Sequence, residues 1–297
     1  MLEIGVVGHI TLDIIRCGDR EVRSIGGPPI YMGLLLRRLG ADVTVITKVG
    51  YDFGDDRITW VMRNGLQFGN EILSDKPTTR FLIEVRRGRK KLTLLSRCSD
   101  IETIPSFSHL IVNPVANEVK PERIKKTEYL YVDPQGFLRD ISKGLVTLRK
   151  NPNLINLLHN ANTIKVDLEE LYTITSSRNL YNSICYLHNL GVNEVILSLG
   201  SKGVILSCKD GVFLIESRYK GEKGDLVGLG DLLGAGYVFG RIRKDPIYGL
   251  VLGYASVLGG IRGLALEKIP TKEEILEKAE KLANEVKEIG RELKRLR

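Results

Sequence analysis

The amino-acid sequence predicts an α/β fold with a mostly parallel central sheet and a small β element in its N-terminal third. Along most of the 297 residues, short apolar runs typical of strands alternate with segments whose apolar residues recur at helical spacing. Residues 78–97 differ, because two β-rich runs flank a polar turn with a central glycine. The first pattern favours a parallel sheet and the second an antiparallel hairpin. We therefore expect a single domain, residues 1–297, in which the hairpin and nearby N-terminal strands form a small β lid.

The N-terminal elements begin with a predicted core strand at residues 3–8, and Asp13 is expected at the end of this strand. Two glycines then precede the segment IYMGLLLRRLGA, which has apolar residues at helical spacing and a typical helix C-cap at Gly40. The alternating run VTVITKVG, residues 43–50, predicts the next strand. The order strand, helix, strand is the one expected of a parallel sheet.

From about residue 109, strand and helix patterns alternate again. The runs HLIVNPV, YLYVDPQG, TIKVDLEEL and EVILSLG each end in a polar or glycine-containing loop, where open parallel sheets bind their ligands. The chain closes with PTKEEILEKAEKLANEVKEIGRELKRLR, in which Thr271 and Glu274 form a capping box and an apolar stripe reaches Ile289. This last pattern predicts a terminal amphipathic helix packed on the sheet.

Composition argues against several classes of protein. The chain is 43% hydrophobic and 27% charged, as in ordinary globular proteins, and its apolar runs are too short or too rich in glycine to span a bilayer. The start MLEIGVVGHI lacks the basic region of a signal peptide, so a cytoplasmic location is expected. The four cysteines and four histidines show no metal-ligand spacing. The net charge of +8 lies partly in clusters without interleaved aromatic residues, which favours attraction of anionic nucleotides over nucleic-acid binding.

The most informative segment is GDLVGLGDLLGAGYVFG, residues 224–240. Its central residues are two carboxylates and the glycine turn between them: Asp225, Gly228, Leu229, Gly230 and Asp231. Glycines allow backbone amides to converge on an anion, and the helix that starts here adds the positive end of its dipole. A carboxylate beside such a site would repel a bound phosphate. Asp231 is therefore expected to accept a proton from a hydroxyl that attacks that phosphate.

The same segment differs from two common phosphate motifs. The sequence contains no GxxxxGK[ST], and the glycines at 228, 230 and 234 have the spacing GxGxxxG, one residue away from the dinucleotide fingerprint. Taken alone, the turn is also compatible with a glycine-rich helix entry packed against a strand. The other motifs of the chain favour the anion site.

Four motifs in order resemble the ribokinase or PfkB-type family of carbohydrate kinases, from about residue 2 to residue 280. DLVGLGD, residues 225–231, is similar to the family's DTxGAGD signature, and the glycines at 26–27, which open a helix ending in Leu-Gly, resemble its first signature. VGYDFGD is similar to VGDDxFG, and EVILSLGSKGVIL is similar to the nucleotide-loop strand VVVTLGxxG. The resemblance implies a ribokinase-like three-layer α/β/α fold with a mostly parallel central sheet and a small β lid.

The resemblance also implies transfer of the ATP γ-phosphoryl group to a hydroxyl of a small polyol, such as a sugar or a cyclitol like inositol. Asp231 would be the catalytic base. The anion hole would consist of the backbone amides of Gly228, Leu229 and Gly230. Such amides stabilise the charge that spreads over the phosphoryl oxygens.

Magnesium and the nucleotide are placed by the same resemblance. The family's NxxE motif corresponds to KVDLEE, so Asp167 stands where Asn is usual and Glu170 keeps its place. Carboxylate oxygens suit Mg²⁺, and an acidic first turn of the following helix is the alternative interpretation. The residues implied for the nucleotide are Ser198, Gly200, Gly203 and Asp225.

The acceptor site is implied by residues in the N-terminal half. They are Asp13, Gly26, Gly27, Tyr31, Arg80 and Gln135. Tyr31 stands where sugar kinases of the family usually place Asn, which removes an amide from the expected sugar site. Arg80 and the DPQG loop that contains Gln135 resemble members that act on inositol and related polyols.

Three alternatives stay open beside the polyol kinase. One is a nucleoside kinase of the same family, in which Tyr31 would contact a base. Another is a non-catalytic sugar or nucleotide sensor, and the third is a basic nucleic-acid-binding protein. The expected partners are a small polyol and ATP, without nucleic acid or membrane, and a homodimer through the lid is a further expectation. The acceptor, its reacting hydroxyl and the choice between ATP and ADP as donor are left open.

Overall fold

The computed structural model describes residues 2–86, 89–142, 144–217 and 224–290. In chain order, the strands are β1 (Glu3–Val7), β2 (Thr11–Cys17), β3 (Arg20–Gly26), β4 (Asp42–Ile46), β5 (Val49–Gly50), β6 (Leu66–Phe68), β7 (Leu73–Ser74), β8 (Arg80–Arg86), β9 (Arg89–Ser96), β10 (His109–Val112), β11 (Tyr129–Val132), β12 (Arg139–Asp140), β13 (Thr147–Leu148), β14 (Thr163–Asp167), β15 (Glu194–Ser198), β16 (Gly203–Cys208), β17 (Gly211–Glu216) and β18 (Lys287–Glu288). The helices are α1 (Pro28–Leu39), α2 (Asp55–Arg63), α3 (Gln135–Leu138), α4 (Leu154–Leu158), α5 (Leu168–Thr175), α6 (Leu180–Asn189), α7 (Leu229–Arg243), α8 (Pro246–Gly260) and α9 (Lys272–Ala283).

A sheet of ten strands forms the centre of the molecule, in the order β18-β17-β16-β15-β14-β11-β10-β1-β4-β6. The strands from β15 to β6 pair in parallel, and β16, β17 and β18 add an antiparallel edge. All four residues of β11 are buried, because helices cover both faces of a parallel sheet. The α/β fold with a mostly parallel sheet is confirmed.

Two apolar cores lie on the two faces of this sheet. Along β10, Ile111 belongs to one core while Leu110 and Val112 belong to the other, as expected from the alternation of side chains along a strand. Helices α1, α2, α7, α8 and α9 contribute to the first core, and α3, α4, α5 and α6 to the second. The molecule therefore has three layers, helix, sheet and helix.

A second sheet of four strands, in the order β3-β2-β8-β9, forms the lid. Strands β8 and β9 pair antiparallel within the segment where the sequence predicts a hairpin. Every second residue of β8, namely Phe81, Ile83 and Val85, is buried, whereas the residues between them are half-buried. One face of the lid therefore packs on the body of the protein.

Two details differ from the sequence-based expectations. Asp13 lies in the middle of β2 rather than at the end of β1, because residues 11–17 pair with β3 and β8 of the lid. The terminal helix has the predicted capping box but ends at Ala283, and Lys287–Glu288 instead pair with β17. Ile289 follows that pairing and donates its backbone N–H to Val212 O at 2.7 Å, so the end of the apolar stripe covers the sheet edge as extended chain.

The strand predicted at residues 43–50 also differs, because Asp42–Ile46 form β4 of the central sheet whereas Val49–Gly50 form β5, which pairs with β7. Helix α1 begins after Gly27 and ends at Gly40, which has the left-handed conformation expected of a C-cap. The basic cluster near the C-terminus, residues 291–297, lies outside the described residues. Within the described part of the chain, no helix has the length and apolar character needed to cross a bilayer.

Candidate active site

The glycine turn predicted to bind an anion lies at the start of α7. Gly228 is the N-cap residue and has a φ of 76°, in the left-handed region that glycine adopts without strain. A Cβ added at Gly228 would lie 2.7 Å from the Tyr31 ring, so the close packing also requires glycine. The first amides of a helix lack acceptors within the helix and carry its positive dipole end. The turn can therefore offer backbone donors to an anion.

Asp231 lies in the first turn of α7 and is 9% exposed. Its Oδ1 accepts a hydrogen bond from Asn113 Nδ2 at 2.9 Å, and Asn113 Oδ1 accepts one from Gln135 Nε2 at 2.7 Å. Arg139 donates to Gln135 Oε1 at 2.6 Å and to Val115 O at 2.8 Å. This chain of hydrogen bonds fixes the carboxylate of Asp231 from one side.

Burial raises the pKa of Asp231 from 3.8 to about 6, and the nearby Asp133 carboxylate adds to the increase. The Lys165 ammonium and the hydrogen bond from Asn113 oppose it. A carboxylate with a pKa near 6 is largely ionised at neutral pH and is a stronger proton acceptor than an ordinary aspartate. Asp231 can thus accept a proton from a bound hydroxyl.

Two cavities meet at Asp231 and Gly228. The larger has a volume of about 1070 Å³ and extends past the N-terminus of α5. The smaller, about 90 Å³, lies under the lid. Both are lined by Gln135, Arg139 and the lid residue Lys90. Asp231 therefore lies at the junction of a large space and a small one.

The smaller cavity is lined by Asp13 and Tyr31. Asp13 Oδ2 accepts a hydrogen bond from Thr11 Oγ1 at 2.8 Å, and Oδ1 accepts one from the backbone N–H of Phe81 at 3.4 Å. Burial raises the pKa of Asp13 to about 7 despite these hydrogen bonds. The Tyr31 hydroxyl is buried and has no hydrogen-bond partner among the described residues. Both groups can bond to a polar ligand.

The predicted glycines, Gly26 and Gly27, allow close packing around this cavity. A Cβ at Gly26 would lie 2.4 Å from Asp13 Oδ2, and one at Gly27 would lie 2.2 Å from His9 O. Gly27 also has a φ of 86°. The two glycines therefore allow the backbone at the start of α1 to lie close to Asp13.

Charged residues line the larger cavity. Lys165 donates to Asp133 Oδ2 at 2.8 Å, and a Cβ at Gly230 would lie 2.9 Å from Lys165 Nζ, so the ammonium lies beside the glycine turn. Burial lowers the pKa of Lys165, but the carboxylates of Asp133 and Glu170 outweigh burial and raise it overall. Arg178 adds another cation to the wall. This wall suits a polyanionic ligand.

Asp167 and Glu170 line the same cavity and form the capping box of α5. Glu170 N donates to Asp167 Oδ1 at 2.8 Å, and Asp167 N donates to Glu170 Oε2 at 2.9 Å. Burial raises the pKa of Glu170 to about 7, and Lys165 opposes the increase. Each capping bond occupies one oxygen of its carboxylate. The two carboxylates fit Mg²⁺, because this ion takes few protein ligands and keeps several waters.

The remaining predicted residues lie apart from Asp231. Ser198 ends β15 beside Asp167, and it is followed by Gly200 and Gly203, but none of the three lines the larger cavity. Arg80 bonds to Asp52 at 3.1 Å and lines a separate cavity of about 270 Å³ with Arg23 and Arg57.

Asp225 is fully buried, and its carboxylate bonds to the chain itself. Its Oδ1 accepts the backbone N–H of Val227 at 2.8 Å, and its Oδ2 accepts that of Ala265 at 2.7 Å. These contacts make Asp225 part of the framework of the turn. The predicted contact between Asp225 and the nucleotide that donates the phosphate stays a prediction.

Several residues of the site were not among the predicted ones. They are Asn113, Lys165, Lys90 and Arg139. Asn113 follows β10 directly, so its position at the carboxyl end of a strand is a signal that the sequence offered. Lys165 lies inside β14, and only the three-dimensional structure shows that its ammonium lies beside the glycine turn.

A comparison with models of protein families gives a match to part of the chain. A family model described as pfkB family carbohydrate kinase matches residues 142–251. No curated protein sequence matches the chain significantly.

Solved structures of several kinases are similar to the whole fold, and three of them illustrate the range. A pyrophosphate-dependent kinase in the ribokinase family, complexed with a pyrophosphate analog and myo-inositol, has a TM-score of 0.78 and 21% identity, covering 92% of this chain and 99% of that one. The nucleoside kinase of Methanocaldococcus jannaschii has a TM-score of 0.75 and 18% identity over 95% of this chain and 99% of that one. A candidate ribokinase II from E. coli, in complex with ATP and Mg²⁺, has a TM-score of 0.74 and 18% identity over 95% and 100%. The chain therefore has the ribokinase fold, and its resemblance to the ribokinase or PfkB-type carbohydrate kinases is confirmed.

Proposed function

We propose that the protein is an ATP- and Mg²⁺-dependent kinase that phosphorylates a hydroxyl of a small polyol, a sugar or a cyclitol. One observation carries the proposal: Asp231, with its raised pKa, lies between the small cavity under the lid and the backbone donors of the Gly228–Gly230 turn. Such an arrangement supports proton abstraction and anion binding at one point. A sensor that only binds its ligand needs no base there.

In the proposed reaction, the acceptor hydroxyl lies in the small cavity and donates its hydrogen to Asp231. Its oxygen forms a bond to the γ-phosphorus while the bond from that phosphorus to the β-γ bridging oxygen breaks, and the hydroxyl proton passes to Asp231. ADP leaves with the electron pair of the broken bond. The amides of Gly228, Leu229 and Gly230 donate to the phosphoryl oxygens as their charge redistributes.

Asp167 and Glu170 would hold Mg²⁺ through water on the donor side of the cavity. Bound there, the ion supplies charge neutralisation at the phosphate oxygens. Lys165 supports the same task from the protein, because its ammonium lies beside Gly230. Asp133 holds that ammonium in place through the 2.8 Å ion pair.

A small polyol is the proposed acceptor because the cavity under the lid is small and combines several hydrogen-bonding groups with apolar side chains such as Phe81 and Leu92. Asp13 and Gln135 can bind hydroxyls, and the unpartnered Tyr31 hydroxyl can bind another. A polar site of this kind discriminates against analogues that leave its groups unpaired. The myo-inositol in the complex of the pyrophosphate-dependent kinase supports a cyclitol in particular.

A nucleoside is the second candidate acceptor. The aromatic ring of Tyr31 in the cavity wall favours it, as does the similarity to the nucleoside kinase of M. jannaschii. The cavity volume of about 90 Å³ favours the smaller polyol.

Pyrophosphate is the second candidate donor. The cations Lys90, Lys165 and Arg178 in the wall of the larger cavity suit a short polyphosphate, and one similar kinase is pyrophosphate-dependent. ATP is supported by the E. coli complex with ATP and Mg²⁺ and by the volume of about 1070 Å³.

A matrix of donors against acceptors tests the proposal. ATP, ADP and pyrophosphate, each with Mg²⁺, are incubated with sugars, cyclitols and nucleosides, and the phosphorylated acceptor is measured by mass spectrometry. We expect one polyol to be phosphorylated with ATP, and the Asp231→Asn variant to be nearly inactive under the same conditions. Phosphorylation of nucleosides alone would replace the proposed acceptor, and turnover with pyrophosphate alone would replace the donor. Absence of any phosphorylated product across the matrix would reject a kinase.

We also propose that two subunits associate through the lid. The outward residues Leu12, Ile14 and Leu82 of the lid sheet are only half-buried in a single chain. Sedimentation equilibrium of the wild type and of Leu82→Glu tests this proposal. A monomeric wild type would reject it.

A further inference from the structure

The outer edge of the lid sheet is covered by a segment of the body. Strand β9 is the last strand in the lid order β3-β2-β8-β9. Leu94 donates its backbone N–H to Gly144 O at 2.7 Å, and Val146 donates its own to Leu92 O at 2.9 Å. Residues 144–146 therefore extend the lid sheet beyond β9 by a short antiparallel segment, which covers an edge that would otherwise be unpaired.

This segment lies between β12 and β13, which pair with each other and are fastened to the body. Asn117 Nδ2 donates to Arg139 O at 2.7 Å in β12. The backbone N–H of Arg149, which follows β13, donates to Leu138 O at 2.7 Å, and Leu138 is buried in the second core. Because both arms are held by the body, the lid cannot carry residues 144–146 with it. Opening of the lid must separate them from β9.

A third contact holds the same lid strand over the small cavity. Lys90, near the start of β9, donates from Nζ to Leu226 O at 3.3 Å, just before the glycine turn. The lid lines the small cavity with the apolar side chains of Phe81, Ile83 and Leu92. The three hydrogen bonds to β9 therefore keep this apolar wall in place over the small cavity.

The contacts between β9 and residues 144–146 are weak enough to break reversibly. Two backbone hydrogen bonds favour the paired form over the open one by roughly 10- to 100-fold. Little apolar burial adds to them, since Leu145 is 44% exposed and its opposite residue Thr93 is only half-buried. Segments of this kind open locally without global unfolding. The pairing has the strength expected of a closure that opens and closes during function.

We propose that residues 144–146 are a latch for the lid, and that this latch opens each time the acceptor enters or its phosphorylated product leaves the small cavity. A route through the larger cavity would have to displace Gln135, Arg139 and Lys90, which border both cavities and are each hydrogen-bonded. The donor has its own space along α5 and exchanges while the latch is closed. This inference rests on the proposed assignment of the small cavity to the acceptor.

A reversible crosslink across the latch tests the proposal. Thr93 and Leu145 face each other between the two backbone bonds, and side chains in such antiparallel pairs lie close enough for a disulfide. In the oxidised Thr93→Cys/Leu145→Cys variant, we expect turnover to fall to the level of the unlinked protein that remains and to return with a reductant. Affinity for the donor, measured by calorimetry, should be unchanged. The controls are the reduced double variant and Thr93→Cys alone with the same oxidant.

A second measurement needs no substrate. In amide hydrogen exchange of the wild type, the N–H groups of Leu94 and Val146 should exchange together, and faster than those that pair β1 with β10 in the central sheet. Both should exchange more slowly in the oxidised double variant. This measurement holds even if the protein phosphorylates none of the acceptors tested, so failure of the proposed function and failure of the latch are distinguishable.

A pair of variants at Val146 tests the latch without a crosslink. Val146→Pro removes the N–H that bonds to Leu92 O, whereas the control Val146→Ala keeps this N–H and truncates the side chain. We expect the N–H of Leu94 to exchange a few-fold to about tenfold faster in Val146→Pro than in Val146→Ala, the effect of one lost hydrogen bond. This comparison decides the question if the disulfide does not form.

Four results would overturn the inference. They are wild-type turnover in the oxidised double variant, loss of donor affinity together with turnover in that variant, exchange of the Leu94 N–H as slow as that of the central sheet, and equal Leu94 exchange in Val146→Pro and Val146→Ala. The first would show that the acceptor reaches the small cavity with the latch closed. The second would show that the crosslink distorts the whole site, and the last two would show that residues 144–146 do not open locally.

Discussion

Asp225 and Asp231 belong to one turn, and both are buried, yet their surroundings differ. Both oxygens of Asp225 accept backbone N–H groups, and the carboxylate pairs with the buried Lys268 ammonium. Asp231 accepts one bond from Asn113 and faces two cavities, and its pKa is raised to about 6. A carboxylate with a full set of partners stabilises structure, whereas one with an incomplete set in a cavity is available for chemistry. The comparison predicts that substitutions at the two positions have different consequences.

The largest expected effect on turnover is that of Asp231→Asn. The side-chain amide that replaces the carboxylate cannot take up the proton of the substrate hydroxyl. We therefore expect kcat to fall by about 10²- to 10⁴-fold, the contribution of a positioned base. Donor affinity should stay near wild type, because the amides of the turn remain. Steady-state kinetics and calorimetric titration of the donor measure the two quantities. Wild-type turnover in this variant would remove Asp231 from the chemistry.

Asp225→Asn should act mainly on stability. The substitution leaves the Lys268 ammonium buried without its counter-charge, and loss of one partner of a buried pair costs about 3–5 kcal/mol. Urea unfolding measures the free energy of unfolding. We expect a much smaller loss of stability for Asp231→Asn, and equal losses for the two variants would contradict the contrast drawn between the carboxylates.

Gly228→Ala tests the turn between the carboxylates. The left-handed φ of 76° costs an alanine about 1–2 kcal/mol, and the new Cβ would also meet the Tyr31 ring. The matched control is Gly18→Ala, at a φ of 60° with nothing within 4 Å of the new Cβ. Both variants should lose stability from strain, but only Gly228→Ala should lose turnover. Equal kcat values for Gly228→Ala and Gly18→Ala would show that a shift of the turn backbone does not affect turnover.

Tyr31→Phe should have the smallest effect on stability. The hydroxyl has no hydrogen-bond partner among the described residues, so its removal should be neutral within about 0.5 kcal/mol or slightly stabilising. If the hydroxyl binds the acceptor, KM for the acceptor rises while kcat changes little. An unchanged KM would assign Tyr31 to packing against Gly228 alone.

The sequence predicted the fold and the turn more completely than the lining of the site. Periodicity and the motif order were sufficient for the parallel sheet, for α1 with its C-cap at Gly40, and for the start of α7 at the glycine turn. These features depend on local pattern. Residues that reach the site from distant strands, such as Lys165 and Asn113, required the sheet order that brings their strands together.

Local pattern was least informative where tertiary pairing replaces a helix or a core strand. The apolar stripe that reaches Ile289 satisfied helical spacing, but the chain after Ala283 pairs with β17 instead. Asp13 was expected after the first core strand and lies in a lid strand, since β2 pairs with β3 and β8 rather than with the central sheet. The structural role of Asp225 could not be predicted from local pattern either, because its ion-pair partner Lys268 lies 43 residues away in the sequence.

The pH dependence of kcat/KM tests the central claim most directly. Burial and Asp133 raise the pKa of Asp231 to about 6, and the base must be ionised to accept a proton. Burial also raises the pKa of Asp13 and of Glu170 to about 7, so kcat/KM of the wild type should level off only above about pH 7 and should fall more steeply than tenfold per pH unit below about pH 6. Asp231→Asn lacks one of these ionisations, so the pH dependence of its residual activity should be less steep than that of the wild type below pH 6. A wild-type profile that stays level down to pH 4, or an equally steep profile in Asp231→Asn, would contradict the assignment of Asp231 as the base.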